Sequence, residues 1–126
     1  MKKNITLYGI PNCDTVKKAR AWLAAKADAQ SGHQGLEVAF HDFKKQGVPE
    51  DHLDAWIAAV GWEKLVNRQG TTWRKLDDAT KALVVDAKSA KALMLAQPSV
   101  IKRPVVEWNA KETTVGFSET EWEKRL

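Results

Sequence analysis

Two stretches of alternating residues bracket a helical pattern at the start of the chain, and that order restricts the fold more than anything after it. In Asn4-Ile5-Thr6-Leu7-Tyr8 the side chains of Ile5 and Leu7 recur every second residue, as on one face of a strand. Val16, Ala19 and Leu23 then fall at helical spacing, with Asp14 or Thr15 available to cap the first turn. Asp28 to Gly35 is polar and glycine-containing and reads as a loop. Leu36 to His41 returns to a period of two, Val38 and Phe40 on one face, Glu37 and Ala39 on the other. A strand, a helix and a strand in this order most naturally make two parallel strands joined by a right-handed crossover.

The junction between the first strand and the helix holds the one cysteine of the 126 residues. Gly9 and Pro11 punctuate a turn there, and Cys13 follows at the helix start. The first N–H groups of a helix have no intrahelical partner and carry partial positive charge. A thiolate in front of them is favoured over the thiol, which brings its pKa below the free value of ~8.5. A free cysteine is more commonly a small buried hydrophobe. Pro11, Asn12, Asp14 and Thr15 do not suit a dry core, so a nucleophile is the better reading.

The middle of the chain is helical. Leu53, Trp56, Ile57 and Val60 follow Pro49 at amphipathic spacing, and Gly61 stands at a plausible helix end. Lys64 to Leu76 reads as two short turns about Gly70, and Ala79 to Ala87 and Ser89 to Gln97 as two helices, the second stopped by Pro98. Val100 to Trp108 is a β pattern interrupted by Pro104; Asn109-Ala110-Lys111 turns it into Thr113 to Phe117. Ser118 and Glu121 have capping-box spacing ahead of a short C-terminal helix carrying Trp122. Trp22, Trp56 and Trp122 are assigned to the core; Trp73 is as well suited to core as to a ligand groove. A proline in mid-strand loses a ladder bond, so Pro104 marks a strand end, and a cis peptide is one way to make that turn.

The order β-α-β, helices, β-β-α is that of an α/β thioredoxin-like domain: a mixed four-stranded sheet with a helical insertion between the second and third strands. One domain over residues 1–126 is expected, the insertion covering about 42–98. No apolar run approaches the ~20 residues of a membrane span. Nothing after Met1-Lys2-Lys3 resembles a signal peptide, and a lone cysteine suits the cytosol, which is the expected location. The net charge of +4 admits an anionic ligand without demanding nucleic acid. His33, His41 and His52 lack metal-ligand spacing, and no metal is expected.

Three segments carry a family resemblance: Y-G-I-P-N-C-D-T-V-K-K-A-R, N-R-Q-G-T-T-W-R-K-L and V-I-K-R-P-V-V. Together they resemble the arsenate reductase ArsC/Spx family, most closely its YffB-type branch of small thiol reductases thought to depend on glutathione. The resemblance implies a nucleophilic role for Cys13. It implies oxyanion or glutathione binding by Arg68 and Arg103, with Asn12, Thr15 and Pro104 lining the same site. Lys17 and Arg74 are further cationic candidates. Arsenate reductases of the family carry a histidine in the place of Gly9 and a third arginine near Gly116, and this chain has neither. Val16 also stands where C-x-x-C has its second cysteine, so the resolving thiol must come from outside. The resemblance thus implies a monomeric thiol-disulfide oxidoreductase with no bound cofactor, glutathione as co-substrate and glutaredoxin as a further partner. Its alternatives are an Spx-like adaptor that binds RNA polymerase, or a true arsenate reductase.

Overall fold

The computed structural model describes residues 3–27 and 35–126. The expected loop from Asp28, apart from Gly35, and His33 with it, lies outside the described residues. The chain divides into two compact units, Met1–Phe43 with Arg103–Leu126, and Lys44–Lys102.

The first unit is built on a four-stranded sheet. Strand β1 (Lys3–Gly9) is followed by helix α1 (Asp14–Ala27) and strand β2 (Leu36–Asp42); the chain returns with β3 (Val105–Glu107), β4 (Thr113–Val115) and a last helix (Glu119–Arg125). The strand order is β2-β1-β3-β4. β1 and β2 are parallel, whereas β3 runs antiparallel to β1 and to β4. This is the mixed, thioredoxin-like arrangement expected from the order of elements. Ile5 and Leu7 bury one face of β1 against Val16, Ala19 and Leu23 of α1, in a cluster completed by Leu36, Val106, Trp108 and Trp122. The register Leu7↔Val106 places Trp108 on that same face. Its indole N–H donates to Thr114 Oγ1 at 2.8 Å, which satisfies the polar atom of a buried ring. The turn from β3 to β4 is closed by Asn109, whose side-chain oxygen accepts the N–H groups of Lys111 and Glu112. β4 stops at Val115, two residues short of the expected strand end, because Gly116 turns the chain at φ +83°.

The second unit is helical, with α2 (Phe43–Gln46) leading in from the first. Helices α3 (Glu50–Val60), α4 (Trp62–Leu65), α5 (Thr71–Arg74), α6 (Asp78–Ala82) and α7 (Ala87–Ala96) lead to a 3-10 turn at Pro98–Val100. α3 buries Leu53 and Trp56, and α7 buries Ala90, Leu93 and Met94. Gly61 ends α3 at φ +89°, as a helix-terminating glycine should. The helix expected over 79–87 is broken after Ala82. Asp86 accepts the Ser89 N–H at 2.8 Å, and Ser89 Oγ accepts from Asp86, a reciprocal cap that starts α7 at Ala87. The strand expected from Val100 is split as well. Ile101 bridges to Val66 inside this unit, and the sheet strand begins only after Pro104.

Candidate active site

Cys13 immediately precedes α1, and its carbonyl accepts the Lys17 N–H at 2.9 Å, the first bond of the helix. It therefore occupies the N-cap position, where a side chain normally accepts the N–H of the second or third helical residue. Those residues are Thr15 and Val16, and their backbone N–H groups favour the Cys13 thiolate. The expectation that Asp14 or Thr15 caps the helix is corrected accordingly. Asp14 is already helical, so Cys13 holds the N-cap position.

Two local features bring this about. Ile10 is buried and anchors the turn after β1. Gly9 lets the first turn of α1 close onto the strand end: a Cβ there would lie 2.8 Å from Val16 Cγ2. The sheet register then delivers Arg103. Tyr8 pairs with Val105, so the residues after β1 and those before β3 meet at one end of the sheet. Arg103 precedes Pro104 through a cis peptide bond, and the buried Pro104 accepts the Gly116 N–H on its carbonyl at 2.9 Å. From there the Arg103 guanidinium is close enough to the Cys13 sulfur to favour its thiolate.

Burial pushes the Cys13 thiol up. The Val16 N–H, the Arg103 hydrogen bond and charge, and the Thr15 N–H outweigh it, and the net pKa lies below the ordinary thiol value. The consequence is testable. Alkylation of Cys13 by iodoacetamide should follow a titration midpoint below ~8.5, and Arg103→Ala should move that midpoint upward. Because the folded pKa is depressed, the stabilisation is fully present above the unfolded thiol pKa and is lost as pH falls through the folded one. The stability difference between wild type and Cys13→Ser should therefore change between those two values and be flat outside them. A midpoint at or above the free value would remove the case for an activated thiol.

Asn12 is exposed in the turn before Cys13, and Thr15 contributes its backbone N–H to the sulfur while its own side chain is exposed. Lys17 lines a groove of about 750 Å³ along α1 with Arg20, Val38 and Phe40, the Arg20 guanidinium 4.1 Å from the Phe40 ring centroid. Arg68 belongs to the second unit, exposed, its guanidinium carbon over the rings of Trp62 and Trp73. Trp73 is thus half-buried beside an arginine, and Trp62 beside the same arginine was not singled out from sequence. Tyr8 lies on the sheet face opposite α1 and donates to Glu107 Oε1 at 2.6 Å. Burial and then Glu107 hold its hydroxyl protonated, so it supports the sheet and supplies no base. Among the described residues no cluster of His, Cys, Asp and Glu could hold a metal ion, and no helix is long and apolar enough to cross a membrane.

The family model described as ArsC family matches residues 8–125. The chain is similar to a solved YFFB protein, 46% identical with a TM-score of 0.85, covering 97% of this chain and 98% of that one. It is 38% identical over 119 residues to an uncharacterised protein of Haemophilus influenzae, covering 94% of this chain and 96% of the relative. It is also 31% identical over 124 residues to the global transcriptional regulator Spx of Streptococcus agalactiae, covering 93% of this chain and 79% of that protein.

Proposed function

The chain belongs to the ArsC family, and on that footing we propose that it is a thiol reductase with a single working cysteine and glutathione as co-substrate. The observation that carries this reading is the place of Cys13 at the N-cap of α1, at the sheet end that the register also gives Arg103. There the first N–H groups and that arginine favour the Cys13 thiolate. That thiolate attacks the glutathione sulfur of a mixed disulfide, forming Cys13–S–S–glutathione and releasing the substrate thiolate, which takes up a proton. A second glutathione thiolate then attacks the glutathione sulfur of that adduct. Oxidised glutathione leaves and Cys13 returns as a thiolate, so one reduced glutathione is consumed and the disulfide bond passes from the substrate thiol to it. Val16 at the third helical residue leaves no internal thiol to compete for the adduct.

The departures from the arsenate pattern also support this reading. A histidine at Gly9 would drive its Cβ into Val16, and an arginine at Gly116 would sit at φ +83°, where side chains are strained. The first omission is thus matched by the packing of Val16 and the second by the backbone. A missing charge-assisted hydrogen bond costs roughly 1.5–3 kcal/mol, which lowers oxyanion turnover about ten- to a hundredfold.

Oxidised glutathione should add one tripeptide to the protein by mass spectrometry, and reduced glutathione should remove it. Arg103→Ala should weaken glutathione binding about tenfold, with Arg103→Lys recovering only part, since lysine lacks the planar two-pronged donor set. Robust glutaredoxin-coupled arsenate reduction would instead favour an arsenate reductase. Unchanged glutathione affinity in both Arg103→Ala and Arg68→Ala would favour an adaptor that binds RNA polymerase.

A further inference from the structure

The second unit holds an arginine with an unusual setting. The loop between α4 and α5 is fixed on both sides of Arg68. Val66 bridges to Ile101, the Asn67 N–H donates to the Val100 carbonyl at 2.8 Å, and the Gln69 N–H donates to Asn67 Oδ1 at 3.2 Å. Gly70 leaves room for that asparagine, since a Cβ there would stand 2.8 Å from Asn67 Nδ2. From this fixed loop the Arg68 guanidinium carbon lies 5.3 Å from the Trp62 ring centroid and 5.8 Å from that of Trp73. Both indoles are half-buried, and Arg68 is exposed. Among the described residues Arg68 forms no ion pair.

A guanidinium within about 6 Å of an aromatic centroid is attracted to the ring, and the contact needs no carboxylate on its five N–H donors. The contact restricts a long side chain without consuming its donors. An exposed arginine usually gives up those donors to a neighbouring carboxylate or to water. Here two indoles hold the cation, and no carboxylate among the described residues takes its edge. That combination is an arginine kept ready for an anionic partner from outside the chain.

We propose that Trp62 and Trp73 are positioning residues that present the edge of the Arg68 guanidinium to a ligand carboxylate. The inference rests on the glutathione reading for the identity of the ligand, and on the indole contacts alone for the positioning. The tryptophans act through Arg68 and touch no reacting atom. Phenylalanine keeps an aromatic face and should keep much of the effect, whereas leucine keeps only apolar bulk.

The test follows the Arg68 Nε–Hε resonance by NMR while glutathione, and separately acetate, is titrated into wild type, Trp62→Leu, Trp73→Leu, Trp73→Phe and Arg68→Ala. In wild type that resonance should carry an aromatic ring-current shift and move further with ligand. Each leucine variant should lose the ring's share of the shift and bind about three- to tenfold more weakly, with Trp73→Phe in between. Placed on Arg68→Ala, Trp73→Leu should cost no further affinity. An equal loss in that background would make the indole a general packing residue and overturn the inference, as would an Arg68 resonance that neither ligand moves. If acetate moves it and glutathione does not, the positioning inference stands and the co-substrate reading fails.

Discussion

Serine in place of Cys13 should abolish the glutathione adduct and lower turnover by about three orders of magnitude or more, without harming the fold. The loss is chemical, because a serine hydroxyl has no accessible anion near neutral pH. The three groups that favour the sulfur anion cannot close that gap. The fold should survive because Cys13 is an N-cap residue and serine is among the best N-caps: its oxygen can accept the same Val16 and Thr15 N–H groups. The thermal midpoint at neutral pH should therefore stay near that of wild type. Turnover of a mixed glutathione disulfide and the melting curve, measured on the same preparations, separate the two effects. Retained turnover would move the chemistry to another group. A collapsed melting curve with lost turnover would mean that the sulfur serves the fold first.

The first strand, helix and second strand were legible because each repeats its own period on one face: Ile5 and Leu7, then Val16, Ala19 and Leu23, then the alternation after Leu36. The place of Cys13 followed from that order. Its role as the cap did not, since sequence offers Asp14 and Thr15 as better-known capping residues one and two positions later. The break after Ala82 was hidden for a similar reason. The helical pattern runs on, while a local cap between Asp86 and Ser89 outcompetes it. Arg103 was marked by a motif, yet its place beside Cys13 depends on the antiparallel register of β1 and β3, a long-range fact. Trp62 went unremarked because nothing in local periodicity links it to an arginine six residues later. Two tryptophans bracketing Arg68 in the sequence were the signal available.

Replacing Trp122 by Ala should cost about 4 kcal/mol of stability, a large share of the ~5–15 kcal/mol that holds a domain of this size. The side chain is 1% exposed and is the buried residue of the last helix. Its ring meets Phe117 at 4.7 Å, Trp108 at 5.0 Å and Trp22 at 5.7 Å between centroids, each edge to face. Deleting it forfeits those geometries as well as the buried area, and no neighbour is small enough to collapse into a space shaped by three other rings. A seven-residue helix cannot persist on propensity alone, so it depends on this docking. The Lys26–Glu123 ion pair from α1 adds little, being partly open to solvent. The damage should reach the site, because Val16, Ala19 and Leu23 of α1 belong to the same buried cluster as Trp122. A loosened α1 holds its first N–H groups less firmly against the Cys13 sulfur. Urea unfolding of Trp122→Ala should thus show the stability loss, and the Cys13 alkylation midpoint should move toward the free-thiol value. Trp122→Phe, which keeps an aromatic edge and much of the volume, should lose about half as much. A loss below ~1 kcal/mol for Trp122→Ala would mean that the last helix is not anchored by this ring.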